Sequence, residues 1–299
     1  MRPPARFGVA RGYGELVQGG ENLRFLRWGS AALCFLLTLA PSFGKTTQSN
    51  PPTISTPEEI AQDIASVPCK DNERLNAAKA LFVRLGAQTD ISVEKLDGIE
   101  NLVMRKTGKS QETIVIGAHY DKVPDGCGAI DNWSGIVALA HIYKSYKDVT
   151  PEKTLIFVAF GKEEKGLLGS KAMVKTIKKE EIEQYCAMVN IDSLGMAAPQ
   201  APENLSSKLL VNRTAELAKQ MKIPFSKVSV NGDADSSSFI AKKIPAITIS
   251  ALGDGWDKIL HSSKDQLSGV NQVSVYVGYR LALALVADLC DLPCGVSRK

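Results

Sequence analysis

Histidine is scarce in this chain of 299 residues: there are three, His119, His141 and His261, so a site built on imidazole has few candidates. No C-x-x-C pair occurs, which argues against thiolate zinc sites and thioredoxin-like chemistry. Internal repeats and low-complexity tracts are absent. Positive charge is not in surplus where it would matter. The formal net charge is +4, and residues 1–44, with five Arg and two Glu, carry +3 of it, leaving no basic patch to suggest nucleic acid. A long apolar stretch is also missing from the N-terminal region. "WGSAALCFLLTLA" (28–40) ends after 13 residues, whereas a comfortable membrane span needs about 20.

What is there reads first as targeting. Arg24 and Arg27 precede that apolar run, and Ser42 and Gly44 supply small residues before a cut at Lys45, the pattern of a signal peptide. An uncleaved anchor is the alternative, and the length of the leader leaves open whether Met1 is the true start. The expected division is a signal peptide or anchor over 1–44, a polar linker over 45–56, one folded domain over 57–294 and a tail over 295–299. A secreted or periplasmic protein is expected, probing the membrane only through such an anchor, and a monomer.

Thr56 and Pro57 open a helix as N-cap and first helical residue, and an amphipathic helix follows over 71–86. From residue 88 short apolar runs alternate with helical patterns. Strands are expected at "NLVMR" (101–105), "TIVIGA" (113–118), "TLIFVAF" (154–160), "YCAMVNI" (185–191), "KLLVN" (208–212), "KVSV" (227–230) and "AITIS" (246–250). Helices are expected over 131–146, 166–178, 212–221 and 271–289. Strands buried on both faces read as continuous apolar runs. The alternation implies an α/β fold, a three-layer sandwich around a mostly parallel mixed sheet.

In open α/β sheets ligands bind beyond the carboxyl ends of the strands. "TIVIGA" runs into His119, "TLIFVAFGK" into Glu163 and Glu164, and "YCAMVNI" into Asp192; "AITIS" leads through a glycine-rich loop to His261, and Asp131 opens the helix after the His119 loop. Parallel strands bring these ends to one edge. Imidazole and carboxylate suit zinc. Two histidines and three carboxylates serve two ions if one carboxylate bridges, and the sixth group is then free to act as a base.

"GAHYDKVPDGCGAIDNWSG" (117–135), "FGKEEKGLLGS" (160–170), "NIDSLG" (190–195) and "LHSSKD" (260–265) resemble the co-catalytic zinc exopeptidases, a family that includes secreted bacterial aminopeptidases, glutamate carboxypeptidase and the glutaminyl cyclases. The resemblance covers roughly residues 69–290. It implies that His119 and Asp192 bind one Zn2+, Glu164 and His261 the other, and that Asp131 bridges them. Glu163 is then the general base, and Asp121 accepts the other N–H of His119 and fixes its tautomer. A cis peptide between Asp131 and Asn132 is implied as well. One departure is visible: the family often has an Asp-His pair where "DADSSSF" places Asp235 and Ser236, which bears on substrate selectivity. The expected activity is that of an aminopeptidase acting on peptides. The rivals are a glutaminyl cyclase with one zinc, a catalytically inactive receptor-like domain, and a carboxypeptidase.

Other candidates read as structural. His141 lies inside a helical pattern without carboxylate neighbours in sequence, "DSSS" (235–238) reads as a polar loop or helix start, and nothing marks Cys127 as a nucleophile. Five cysteines follow the leader, so at least one is free in a monomer. Cys186 starts a strand whose far end carries Asp192, about 20 Å away, so it cannot reach Cys127 near the metals. It is expected to be a free, buried thiol, with Cys69 pairing with Cys290 or Cys294.

Overall fold

A computed structural model describes residues 53–298; the expected leader (1–44) and most of the expected linker lie outside them. Ser55, which is buried, precedes Thr56, which caps α1 (Pro57–Ile64). The cap is reciprocal: Thr56 accepts the Glu59 N–H, and the Glu59 carboxylate accepts the Thr56 N–H at 2.9 Å. Helix α2 spans Asp71–Arg84. Strands β1 (Ile91–Leu96) and β2 (Ile99–Lys106) form a hairpin turned by Asp97 and Gly98, both at positive φ, a pairing suited to a two-residue turn. Strand β1 was not expected. It is a mostly exposed edge strand whose polar residues carry no core pattern.

The remaining elements are β3 (Ser110–His119), α3 (Ser134–Tyr146), β4 (Lys153–Phe160), α4 (Leu168–Thr176), β5 (Tyr185–Ile191), β6 (Gln200–Pro202), α5 (Lys208–Gln220), β7 (Ser226–Val228), α6 (Asp235–Ala241), β8 (Ala246–Ile249) and α7 (Gln272–Asp291). Residues 208–212, expected as a strand, are the first turn of α5. Its buried residues Leu210, Val211, Thr214, Leu217 and Ala218 recur at helical spacing. A short apolar run does not by itself separate strand from helix.

The main sheet has the order β1-β2-β4-β3-β5-β8. Strands β4, β3, β5 and β8 run parallel, while β1 and β2 are antiparallel additions. One face packs on α1, α2, α3, α5 and α7 through residues such as Ile60, Phe82, Ile136, Leu210 and Leu285. The other packs on α4 and α6 through Met173, Val174 and Phe239. Burial on both faces is why β3, β4 and β5 read as unbroken apolar runs, and the fold is the expected three-layer mixed sandwich.

Cysteine pairing corrects two expectations. Cys186 is bonded to Cys294, and Cys69 to Cys127; among the described residues Cys290 is the free, buried thiol. Cys186 does lie at the amino end of β5, away from the candidate metals, so the strand topology stands. The fault lay in weighing Cys127 alone as its partner. After α7 the chain turns at Pro293 into a short 3-10 turn, Cys294–Ser297, that packs against this end of β5, with the Ser297 hydroxyl donating to the Cys186 carbonyl at 2.6 Å. Cys69 is held beside Cys127 because the Arg74 guanidinium, at the start of α2, donates to the carbonyls of both Pro68 and Cys127.

His141 is structural in this architecture. Its Nδ1 pairs with Ser55 Oγ at 2.8 Å and its Nε2 with Asp63 Oδ2 at 2.9 Å. All three residues are buried, so a Ser-His-Asp set here has no access to substrate. Burial works to raise the Asp63 pKa, but hydrogen bonds from His141 and Arg84 outweigh it and hold the carboxyl below its usual range. Such a group stabilises the fold above its unfolded pKa of about 3.9 and loses that contribution as pH falls through the lower folded value. Asp63→Asn is therefore expected to lower the Tm of chelator-treated protein at pH 7 and to flatten its further fall below about pH 4. An acid limb identical to that of the unmodified protein would remove Asp63 from this role.

Candidate metal centre

The parallel register assembles the site. Gly117 of β3 pairs with Asn190 of β5, so His119 and Asp192, each two residues further on, leave the sheet side by side. Glu163 and Glu164 follow β4, Asp131 lies in the turn Ala129–Trp133 ahead of α3, and His261 lies in the loop after β8.

All the predicted ligand residues come together. His119 Nε2 lies 3.1 Å from Asp131 Oδ1 and 3.7 Å from Asp192 Oδ1. His261 Nε2 lies 3.1 Å from Asp131 Oδ2 and 3.2 Å from Glu164 Oε2. Asp131 thus offers one oxygen to each of two groups, and within each group the donor atoms lie within 4.8 Å of one another. Glu163 is gathered with His119 and Glu164 at the same spacing. The peptide between Asp131 and Asn132 is cis. Four non-glycine residues with left-handed backbones border the site: Lys162 (φ 56°), Leu167 (φ 59°), Ser193 (φ 58°) and His261 itself (φ 57°). Such conformations are held only where the surroundings enforce them, and they collect at functional sites.

Asp121 is placed differently from the sequence expectation. His119 Nδ1 pairs with its main-chain carbonyl at 3.1 Å, while its carboxylate stands 3.6 Å from that nitrogen. The carbonyl therefore accepts the Nδ1 N–H and leaves Nε2 to face the acids. The carboxylate accepts the main-chain N–H groups of Glu163 (2.9 Å) and Glu164 (3.2 Å). Asp121 thereby ties the two glutamates to the His119 segment.

The charges of the site call for a cation. Burial first, then Asp235, Asp192 and Asp131 against the opposing effect of His119, push Glu163 up to about 9. Burial likewise lifts Asp235 to about 7. Hydrogen bonds to Asp131 and Glu164 raise His261 to about 10. Burial opposes charge on His119, yet Glu163, Asp121, Asp131 and Asp192 lift its pKa well above the usual range. Glu164 Oε1 is buried without a hydrogen-bond partner. Two imidazoles and three carboxylates around an orphaned oxygen are a donor set that fits zinc.

Sequence reasoning passed over three residues that hold this arrangement and a fourth, Asp235, that adds charge beside it. Arg74, fully buried, donates to the carbonyls of Tyr120, Pro68, Cys127 and Gly128; in sequence it reads as one more charged residue of an amphipathic helix. The Asn132 carboxamide accepts from Gly135 and Ser193 and donates to Ile191, joining the Asp131 turn to the Asp192 segment. The Asp265 carboxylate accepts from Ile130 and Asp131. Asp235 is fully buried with both carboxylate oxygens unpartnered; its place in the "DADSSSF" departure was the one signal available. The site opens into a cavity of about 300 Å3, acidic on the side of the candidate ligands and lined elsewhere by Leu167, Leu205, Val230, Leu252, Trp256 and Leu260 together with polar residues such as Lys171 and Asn231.

The sequence profile of Peptidase family M28 matches residues 101–286. The chain is 31% identical over 145 residues to aminopeptidase YwaD of Bacillus subtilis, covering 48% of this chain and 31% of that protein. It superposes with a TM-score of 0.58 and 22% identity on a zinc aminopeptidase from Bacillus subtilis, covering 63% of this chain and 49% of that one. With a glutaminyl cyclase from an Acidobacteriales bacterium the TM-score is 0.70 at 16% identity, covering 82% of this chain and 98% of the other. The chain thus spans less than half of either aminopeptidase's length, and at these identities the two superpositions report the fold. The profile match extends over more than half of the chain and contains every predicted ligand, so the chain belongs to peptidase family M28, a zinc-dependent family.

Proposed function

We propose that the protein is an exported aminopeptidase with two zinc sites and a glutamate base. The observation that carries this is the division of the Asp131 carboxylate, Oδ1 toward His119 and Oδ2 toward His261. His119 and Asp192 would hold one ion, Glu164 and His261 the other, and Asp131 both. Zinc supplies Lewis acidity there, polarising a carbonyl and bringing the pKa of water toward neutrality. Glu163 faces the same cavity, takes the proton of the attacking water and returns it to the leaving amine. The free amino terminus of the peptide lies against the acidic wall, and its first side chain lies against the apolar one. Two cystines support maturation in an oxidising compartment and hence export.

Metal analysis with a substrate panel tests this. About two zinc ions per chain are expected, with activity lost to chelator and no turnover of N-acetylated peptides. A leucyl substrate should exceed a glycyl one in kcat/KM by at least about 10-fold, since each methylene in an apolar pocket is worth roughly 10–200-fold. One ion per chain, with cyclisation of N-terminal glutamine and no peptide hydrolysis, would establish the glutaminyl cyclase instead.

A further inference from the structure

Asp265 lies four residues beyond His261 and is 2% exposed. Its carboxylate is bound to the main chain of the Asp131 turn. The N–H of Ile130 donates to Oδ1 at 2.8 Å and the N–H of Asp131 to Oδ2 at 3.0 Å. The Asp265 carbonyl accepts the N–H of Cys127 at 2.7 Å. Main chain approaches main chain here: a Cβ on Gly126 (φ 66°) would lie 2.5 Å from the Ser262 carbonyl oxygen and 2.9 Å from that of Asp265. The segment carrying His261 and the turn carrying Asp131 are thus joined by one residue.

We propose that Asp265 is the positioning residue of the half-site formed by Asp131, Glu164 and His261. A forked acceptor on two successive N–H groups fixes the direction in which Asp131 leaves the turn. Because the same residue anchors the His261 segment, the spacing between these two ligands is set by one short strut. The arrangement parallels Asp121, whose carboxylate grips the N–H groups of Glu163 and Glu164 from the His119 segment. The His119–Asp192 pair has its own cross-link through Asn132, which reaches Ile191 and Ser193. Loss of Asp265 disturbs Asp131 for both ions but the His261 segment for only one, so it should fall harder on the ion held by Glu164 and His261. The inference rests on the zinc-peptidase reading above.

The test is competition of zinc against a chromophoric chelator, with metal analysis, on the full chain and on Asp265→Asn. The carboxamide can accept one N–H but turns a donor toward the other. One zinc site should weaken by about 10–100-fold, the usual effect of losing a group that orients a ligand, while the other weakens clearly less. A general loosening of the fold would weaken both sites together. Asp265→Glu, which keeps the charge but displaces the fork by a methylene, should show the same uneven loss to a smaller degree, and it carries the test if Asp265→Asn is not recovered folded. Unchanged affinities, equal weakening of both sites, or failure of both variants to fold would each overturn the proposal. An unmodified chain that takes up no zinc would instead overturn the zinc-peptidase reading beneath it.

Discussion

Glu163→Gln is expected to keep near-normal zinc content while kcat falls by about 10²–10⁴-fold, the range for loss of a general base. The substitution preserves size and leaves the main-chain N–H of residue 163 on the Asp121 carboxylate, so the turn keeps its shape. Glu164→Gln is the control in the opposite direction. Its carboxylate lies 3.2 Å from His261 Nε2 and has a second, unpartnered oxygen, and an amide is a poorer ligand for a dication. That variant should lose zinc from one site and regain part of its activity in excess zinc, whereas Glu163→Gln should gain nothing. Rescue of the Glu163 variant and not of the Glu164 variant would mean that the two roles are exchanged.

Asp131→Ala should be the most damaging change to metal content. Both carboxylate oxygens face a histidine, one in each group of ligands, so a single truncation removes a donor from both. Binding to the folded state alone stabilises it by RT ln(1 + [L]/Kd), about 4 kcal/mol at a thousandfold excess over Kd. The thermal shift on adding zinc should therefore be large for the unmodified chain and nearly absent in Asp131→Ala. A variant that keeps both ions, with its full thermal shift, would show that Asp131 is not shared between the sites.

The fold was legible where the information is local, and the residues named for the site do lie together. Each candidate donor but Asp131 follows an apolar run, and in a parallel sheet every such run ends at the same edge. The residue types then narrow the chemistry, and Asp131 enters through its place at the head of a helix. Strand β5 has the expected limits, Tyr185–Ile191, because burial on both faces leaves an uninterrupted pattern. The edge strand β1 and the first turn of α5 were misread for the converse reason, since exposure or brevity leaves too little pattern to distinguish.

What the sequence by itself determined is the α/β alternation, the five candidate ligands at the turns that carry them, the neighbouring Glu163, and five cysteines after residue 44, an odd number. The tertiary structure decided which cysteines pair, that Arg74 lies buried beneath the 120–128 loop, that Asp121 grips the glutamate turn while its carbonyl orients His119, and that Asp265 binds the Asp131 turn from 134 residues away. The reason is physical. Apolar periodicity and strand-end position are properties of a few consecutive residues, whereas a hydrogen bond from a carboxylate to a distant main-chain N–H, or a bond between two sulfurs, exists only once the sheet and its helices have brought remote loops to within a few ångströms.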